Sequence, residues 1–164
     1  MKKILLLGTL FFLLLSNTAF AANWYWIDSD DKTGCFFDMD TIRYELAQSG
    51  YPYRTSVDTS KITCWEKTVY TQIGARDFAT ALDDWRLSEL AYNLTFETFS
   101  LRNKTITVYA SYYYREDGSL IYMDEGVWGP YQVIPESRGE DVFLAVRDYA
   151  RTHHAQLIRN AYSN

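Results

Sequence analysis

Two-residue alternation recurs along most of this chain and restricts its fold more than any other feature. Between Lys61 and Thr71, the residues Thr63, Trp65, Lys67 and Val69 share one face, and Ile62, Cys64, Glu66, Thr68 and Tyr70 share the other. The pattern repeats in Tyr92-x-Leu94-x-Phe96, in Ile106-x-Val108-x-Ala110-x-Tyr112-x-Tyr114 and in Leu120-x-Tyr122. Successive side chains of a strand point to opposite sides, so each run reads as a strand with two distinct faces. Trp24-Tyr25-Trp26-Ile27 and Thr33-Gly34-Cys35-Phe36-Phe37, separated by the polar bend from Asp28 to Lys32, read as a hairpin. Asp117-Gly118 marks a second, because glycine accepts the positive φ that a tight turn demands. Phe99 and Leu101 fall out of phase with Phe96, which predicts a bulge near Thr98. The stretch 45–60, with Ser49-Gly50 and Tyr51-Pro52-Tyr53, reads as broken connecting chain.

The period changes twice. Phe78, Leu82 and Trp85 recur at helical spacing within 75–87. Near the end, Val142, Val146, Tyr149, Ala150, His153 and Leu157 form one helical stripe, preceded by Ser137 and Glu140 at capping-box spacing. The predicted fold class is α+β: a six-stranded antiparallel sheet, a short helix inserted after the third strand, and a long C-terminal helix packed on one face.

The first residues set the compartment. Lys2 and Lys3, an apolar stretch from Ile4 to Leu15 and the exit Ala19-Phe20-Ala21 have the order of a secretory signal peptide, with cleavage between Ala21 and Ala22. The stretch is well short of the roughly 20 residues that span a bilayer, so no membrane span is expected once residues 1–21 are removed. Residues 22–164 are the size of one domain. The formal charge of −5 becomes more negative without the two lysines, which argues against nucleic acid as a partner. The expected location is the periplasm, the cell surface or the medium. Cys35 and Cys64 are an even pair in an oxidising compartment and are expected to form a disulfide; two free thiols are the alternative.

Motifs for catalysis are sparse. Asp28-x-Asp30 opens like a calcium loop, but Lys32 takes the next ligand position, Thr33 replaces the glycine and Met39 the closing glutamate. These acids read as a bend, and Asp38 and Asp40 as the close of the second strand. His153 and His154 are adjacent, so on one helix they point about 100° apart and cannot grip one ion together. His153 lies on the predicted buried stripe. No other histidine is present to serve a nucleophile. An envelope glycan hydrolase using paired carboxylates is a trailing alternative. No metal, cofactor or enzymatic activity is expected.

Aromatic residues make up 17% of the chain. A helix is about 10 Å across, whereas six strands make a sheet nearly 30 Å wide, so one face is left open. In the fifth predicted strand Tyr112 and Tyr114 share one face and Tyr109 and Tyr113 the other; the latter pair is a candidate contact face for a second copy or a partner.

The run Cys35-Phe36-Phe37-Asp38-Met39-Asp40-Thr41-Ile42 resembles a signature of the surface-adhesin protein E-like family. So do Trp65-Glu66-Lys67-Thr68-Val69-Tyr70, the stretch from Leu94 to the Asp117-Gly118-Ser119-Leu120-Ile121 hairpin, and Trp128 followed by Ile134-Pro135-Glu136-Ser137-Arg138-Gly139-Glu140. The resemblance covers nearly all of 22–164 in order. It implies a six-stranded antiparallel sheet with a C-terminal helix, homodimers, and adhesins that bind host matrix proteins; haem binding is conceivable on this ground alone. It carries over no binding residue. The chain has Ser100 where family members often place a cysteine, and Ala22 where a lipid anchor needs one. The expected function is an exported, non-enzymatic, adhesin-like or ligand-capturing domain of the bacterial envelope. The alternative is a periplasmic structural or interaction module with no host ligand.

Overall fold

The computed structural model describes residues 22–50, 52 and 54–163. The expected leader and its cleavage bond lie outside them. The chain is α+β, and its strands form one antiparallel sheet. These are β1 (Trp24–Ser29), β2 (Thr33–Asp38), β3 (Arg43–Ser49), β4 (Arg54–Tyr70), β5 (Tyr92–Ser100), β6 (Thr105–Tyr114) and β7 (Leu120–Gln132). The helices are α1 (Gln72–Ala81), α2 (Arg138–Thr152) and α3 (His154–Ala161), with a 3-10 turn at Trp85–Glu89. The path is β1-β2-β4-β5-β6-β7, and β3 also pairs with β4. β4 is 17 residues long because it serves two partners on one edge. Its first part pairs with β3 and its end, from Glu66 to Tyr70, with β2.

The sheet therefore has seven described strands where six were predicted. The stretch read as broken chain is the β3–β4 hairpin, turned at Gly50 with φ +71. The short helix begins at Thr71, whose Oγ1 accepts from Gly74 N at 3.2 Å. It follows β4, the third of the strands read from sequence. The irregularity read near Thr98 falls on the neighbouring strand: the β5–β6 register shifts between Phe96 and Glu97, while β5 is unbroken against β4. Phe96 and Phe99 face opposite sides by plain alternation, because β5 itself runs against β4 without a break. The extra residue is Tyr109 on β6, which has no partner on β5.

The turns follow local chemistry. Asp30 Oδ1 accepts from Lys32 N at 2.8 Å and Thr33 N at 2.6 Å, closing the β1–β2 bend. Asp38 Oδ1 accepts from Asp40 N at 3.0 Å. Both carboxylates serve backbone donors, as short aspartates do in turns. α1 starts directly beneath the first bend. Thr71 Oγ1 donates to Lys32 O at 3.1 Å, and a Cβ on Gly74 would collide with that carbonyl.

All three helices lie on one side. The core joins Phe37, Ile62, Cys64 and Phe99 of the sheet to Val142, Phe143, Val146, Tyr149, Ala150 and Leu157. Phe78 of α1 packs against Tyr70 and Tyr113. α3 lies on β3, where Asn160 Nδ2 donates to Ile42 O at 2.9 Å. The single long C-terminal helix of the sequence reading is two helices, broken at His153 (φ −116, ψ 26). His153 Nδ1 lies 3.0 Å from Tyr149 O, and Thr152 Oγ1 donates to Asp148 O at 3.1 Å. These side chains compete with the helical ladder just where it stops. His153 is exposed, with its ring stacked on Tyr149 at 4.0 Å, so it is not part of the buried stripe. The cap is also shifted. Ser137 Oγ accepts from Glu140 N at 3.3 Å, but Glu140 Oε2 reaches back to Glu136 N at 2.8 Å, one residue earlier than a standard box.

Candidate functional site

Alternation sends Trp65 and Lys67 of β4, Leu94 and Phe96 of β5, and Ala110, Tyr112 and Tyr114 of β6 to the face away from the helices. Trp24 joins them from β1: its neighbour Tyr25 stacks on Phe37 at 4.8 Å on the helix side, which turns Trp24 the other way. The rings form a continuous field. Trp65 lies 5.2 Å from Phe96 and 5.9 Å from Tyr112, and Tyr92 stacks on Tyr114 at 5.0 Å. Such pairs are common in cores, where they gain about 0.5–1.5 kcal/mol beyond burial. Here Trp65, Leu94, Phe96, Tyr112 and Tyr114 all keep part of their surface in water.

A groove of about 440 Å³ opens on this face, floored by Trp65 and Leu94 and walled by Trp24, Tyr112 and Tyr114. Beside it stands Lys67, its Nζ 4.6 Å from the Tyr92 ring centroid and 5.4 Å from that of Trp24. Among the described residues this ammonium has no ion-pair partner; two ring faces hold it. Tyr112 Oη donates to Glu125 Oε1, and that carboxylate raises the phenol's pKa. The face thus offers apolar rings for stacking, one uncommitted cation and a phenol held by an acid.

The candidate contact pair does not share a face. Tyr113 lies on the helix side, 6.1 Å from Phe78 and 5.8 Å from Tyr122. Tyr109 lies 6.0 Å from Phe96, with the open-face rings. The bulge at Tyr109 interrupts the alternation that paired them. The expected disulfide is also absent: Cys35 and Cys64 are free and buried. Cys35 sits opposite Thr68, four residues along β4 from Cys64. That offset is about 13 Å at strand rise, beyond the 4.4–6.8 Å between Cα atoms that a bridge allows. Burial pushes the Cys35 thiol up to about 11.

Asp28, Asp30, Asp38 and Asp40 do not converge. Asp28 lies opposite Cys35 and Asp38 opposite Trp24, while Asp30 bonds within its own turn. Among the described residues no three His, Cys, Asp or Glu are placed to hold one metal ion. His154 Nδ1 lies 2.9 Å from Tyr44 Oη, tying α3 to β3.

Sequence reasoning did not single out Lys67. Its placement on the face of Trp65 was legible; its two ring contacts come from β1 and β5 and were not. Comparison with protein-family models, with curated proteins and with solved structures finds no match.

Proposed function

We propose that the chain is an exported, non-enzymatic binding domain that captures a protein ligand on the open face of its sheet. The observation that carries the reading is the asymmetry of that sheet: all three helices lie on one side, and the other presents Trp24, Trp65, Tyr112 and Tyr114 around an unfilled groove with Lys67 beside it. Burying such rings in an interface gains about 25 cal/mol per Å² of apolar area, and aromatic anchors dominate the energetics of interfaces generally. The resemblance to surface-adhesin protein E-like chains agrees with this and suggests a ligand in the envelope or the host matrix. A homodimer is part of the proposal, formed through the open face or the β7 margin, where Leu120, Met123, Val127 and Tyr131 are exposed.

The test uses immobilised extracellular-matrix proteins and an envelope fraction as two separate probes. Wild-type protein should bind one of them, and Trp65→Ala with Tyr112→Ala should lower that affinity at least tenfold, while Arg147→Ala on α2 leaves it unchanged. Equal binding by all three would overturn the proposal. Cell fractionation separates adhesion from a purely periplasmic role: a chain confined to the periplasm contacts no host.

A further inference from the structure

β4 changes partner along one edge, and the change leaves an opening on the ring-bearing face. β2 ends at Asp38 and β3 begins at Arg43. Between them Thr41 Oγ1 accepts from Trp65 N at 3.4 Å. The groove of about 440 Å³ lies at this junction, so Asp38 and Thr41 line it together with Trp24, Trp65 and Tyr112. Register explains the gathering. Asp38 sits opposite Trp24 of β1, and the pairing of Phe37 with Glu66 puts Asp38 alongside Trp65 of β4. The carboxylate therefore has an indole on each neighbouring strand, on the face away from the helices.

That carboxylate is under-served. Asp38 is 6% exposed. Its Oδ1 accepts from Asp40 N at 3.0 Å, but among the described residues Oδ2 has no hydrogen-bond partner and the side chain has no ion pair. A buried carboxylate needs several donors to offset its lost hydration, and the groove is the space from which more can come. A metal ion is a poor match, since no three His, Cys, Asp or Glu among the described residues stand together. A guanidinium matches well: it is planar, stacks on ring faces and donates two parallel N–H groups to a carboxylate.

Lys67 stands beside the groove with the opposite charge, so the sign of the ligand has to be decided. Lys67 is half-buried, and the ring faces of Tyr92 and Trp24 already meet its ammonium. Asp38 is the more deeply buried, where water screens a charge less and an opposite charge is attracted more strongly. The formal net charge of −5 also draws basic partners and repels acidic ones. Both considerations favour a cation at Asp38 over an anion at Lys67.

We propose that the groove takes an arginine side chain of the protein ligand, with its guanidinium on the Asp38 carboxylate and its stem along Trp65 and Leu94. The inference rests on the open-face reading and names the group that this face captures. The competing occupant is the α-ammonium that signal cleavage would leave on Ala22, which also lines the groove.

The test titrates the exported protein, beginning at Ala22, with N-acetylarginine N-methylamide while its tryptophan fluorescence is followed. The citrulline counterpart keeps the shape without the charge, and the glutamate counterpart reverses the charge. The arginine probe should change the emission saturably, and neither counterpart should do so at the same concentration. Asp38→Asn should weaken the arginine probe about tenfold or more. Lys67→Met should tighten it about threefold by removing a like charge, a gain that a misfolded variant could not produce. An equal response to citrulline, a saturable response to glutamate, undiminished affinity in folded Asp38→Asn, or no gain in Lys67→Met would overturn the proposal. So would silence towards arginine, whether Ala22 fills the site or nothing does. A protein that captures a matrix or envelope ligand but ignores the arginine probe refutes this inference alone. One that binds the probe and captures neither fraction keeps the arginine site and refutes the protein-ligand reading.

Discussion

The two faces of this sheet are made by the same strands yet solve opposite problems. On the helix side, Phe37, Ile62, Cys64 and Phe99 are fully buried and packed by α2 and α3. On the other, Trp65, Phe96, Tyr112 and Tyr114 pack only against one another and keep water contact. The difference lies in polarity as well as cover. The covered face encloses carboxyls, thiols and an amide, and the open face displays rings. A fold under selection for stability alone would tend towards the reverse, because rings gain from burial and carboxyls lose. The display of rings on the open face is what the proposed binding function explains.

The largest contrast should appear in side-chain truncation. Phe99→Ala on the covered face should cost about 3–5 kcal/mol in denaturant unfolding, and Tyr112→Ala on the open face about 1 kcal/mol. Equal costs would mean that the open face is a core after all. Next comes the seam at which α1 enters beneath the β1–β2 turn. Gly74→Ala should cost about 1–3 kcal/mol, because the added methyl meets the Lys32 carbonyl.

The covered face should also set the pH response. Burial first, then the Glu66 charge and the hydrogen bond to it, raise the Glu97 pKa well above its ordinary 4.5. The folded chain then holds a proton that the unfolded chain releases, so stability is full below 4.5 and falls as pH rises through the elevated value. The turn acids Asp30, Asp58 and Asp117 have lowered values and act only below about their ordinary 3.8, outside that window. Stability measured by chemical denaturation should be lower at pH 8 than at pH 5, and Glu97→Gln should flatten the slope. A smaller effect concerns the thiols. Thiol titration should find two per chain after denaturation and none in the native protein, since both are buried. The smallest effect on stability belongs to Lys67→Met, under about 1 kcal/mol for a partly exposed cation over rings.

The split between faces was legible in β4 and β5, where Ile62, Cys64 and Glu66 alternate with Thr63, Trp65 and Lys67. The stripe Val142, Val146, Tyr149 and Leu157 named the covering helices. β3 escaped because its partner, the first part of β4, is mostly exposed and polar; a backbone ladder holds that hairpin more than a buried face does. The break at His153 left no mark on the apolar stripe, since it arises from local side-chain bonds. An even cysteine count carries no register, so it could not reveal that Cys35 meets Thr68. Parity alone puts Tyr109 with Tyr113, and the bulge that the phase of Phe99 suggests for β5 takes its extra residue from β6. The Asp38 groove and the Lys67 site each draw on several strands, so no single run displays them.

Hydroxyl-radical footprinting of the protein, alone and saturated with whichever matrix or envelope fraction it binds, tests the central claim most directly. The account predicts that Trp24, Trp65, Tyr92, Tyr112 and Tyr114 lose reactivity on binding while Tyr162 and His153, on the helix side, keep theirs. Protection at Tyr162 and His153 with the open-face rings unchanged would contradict it.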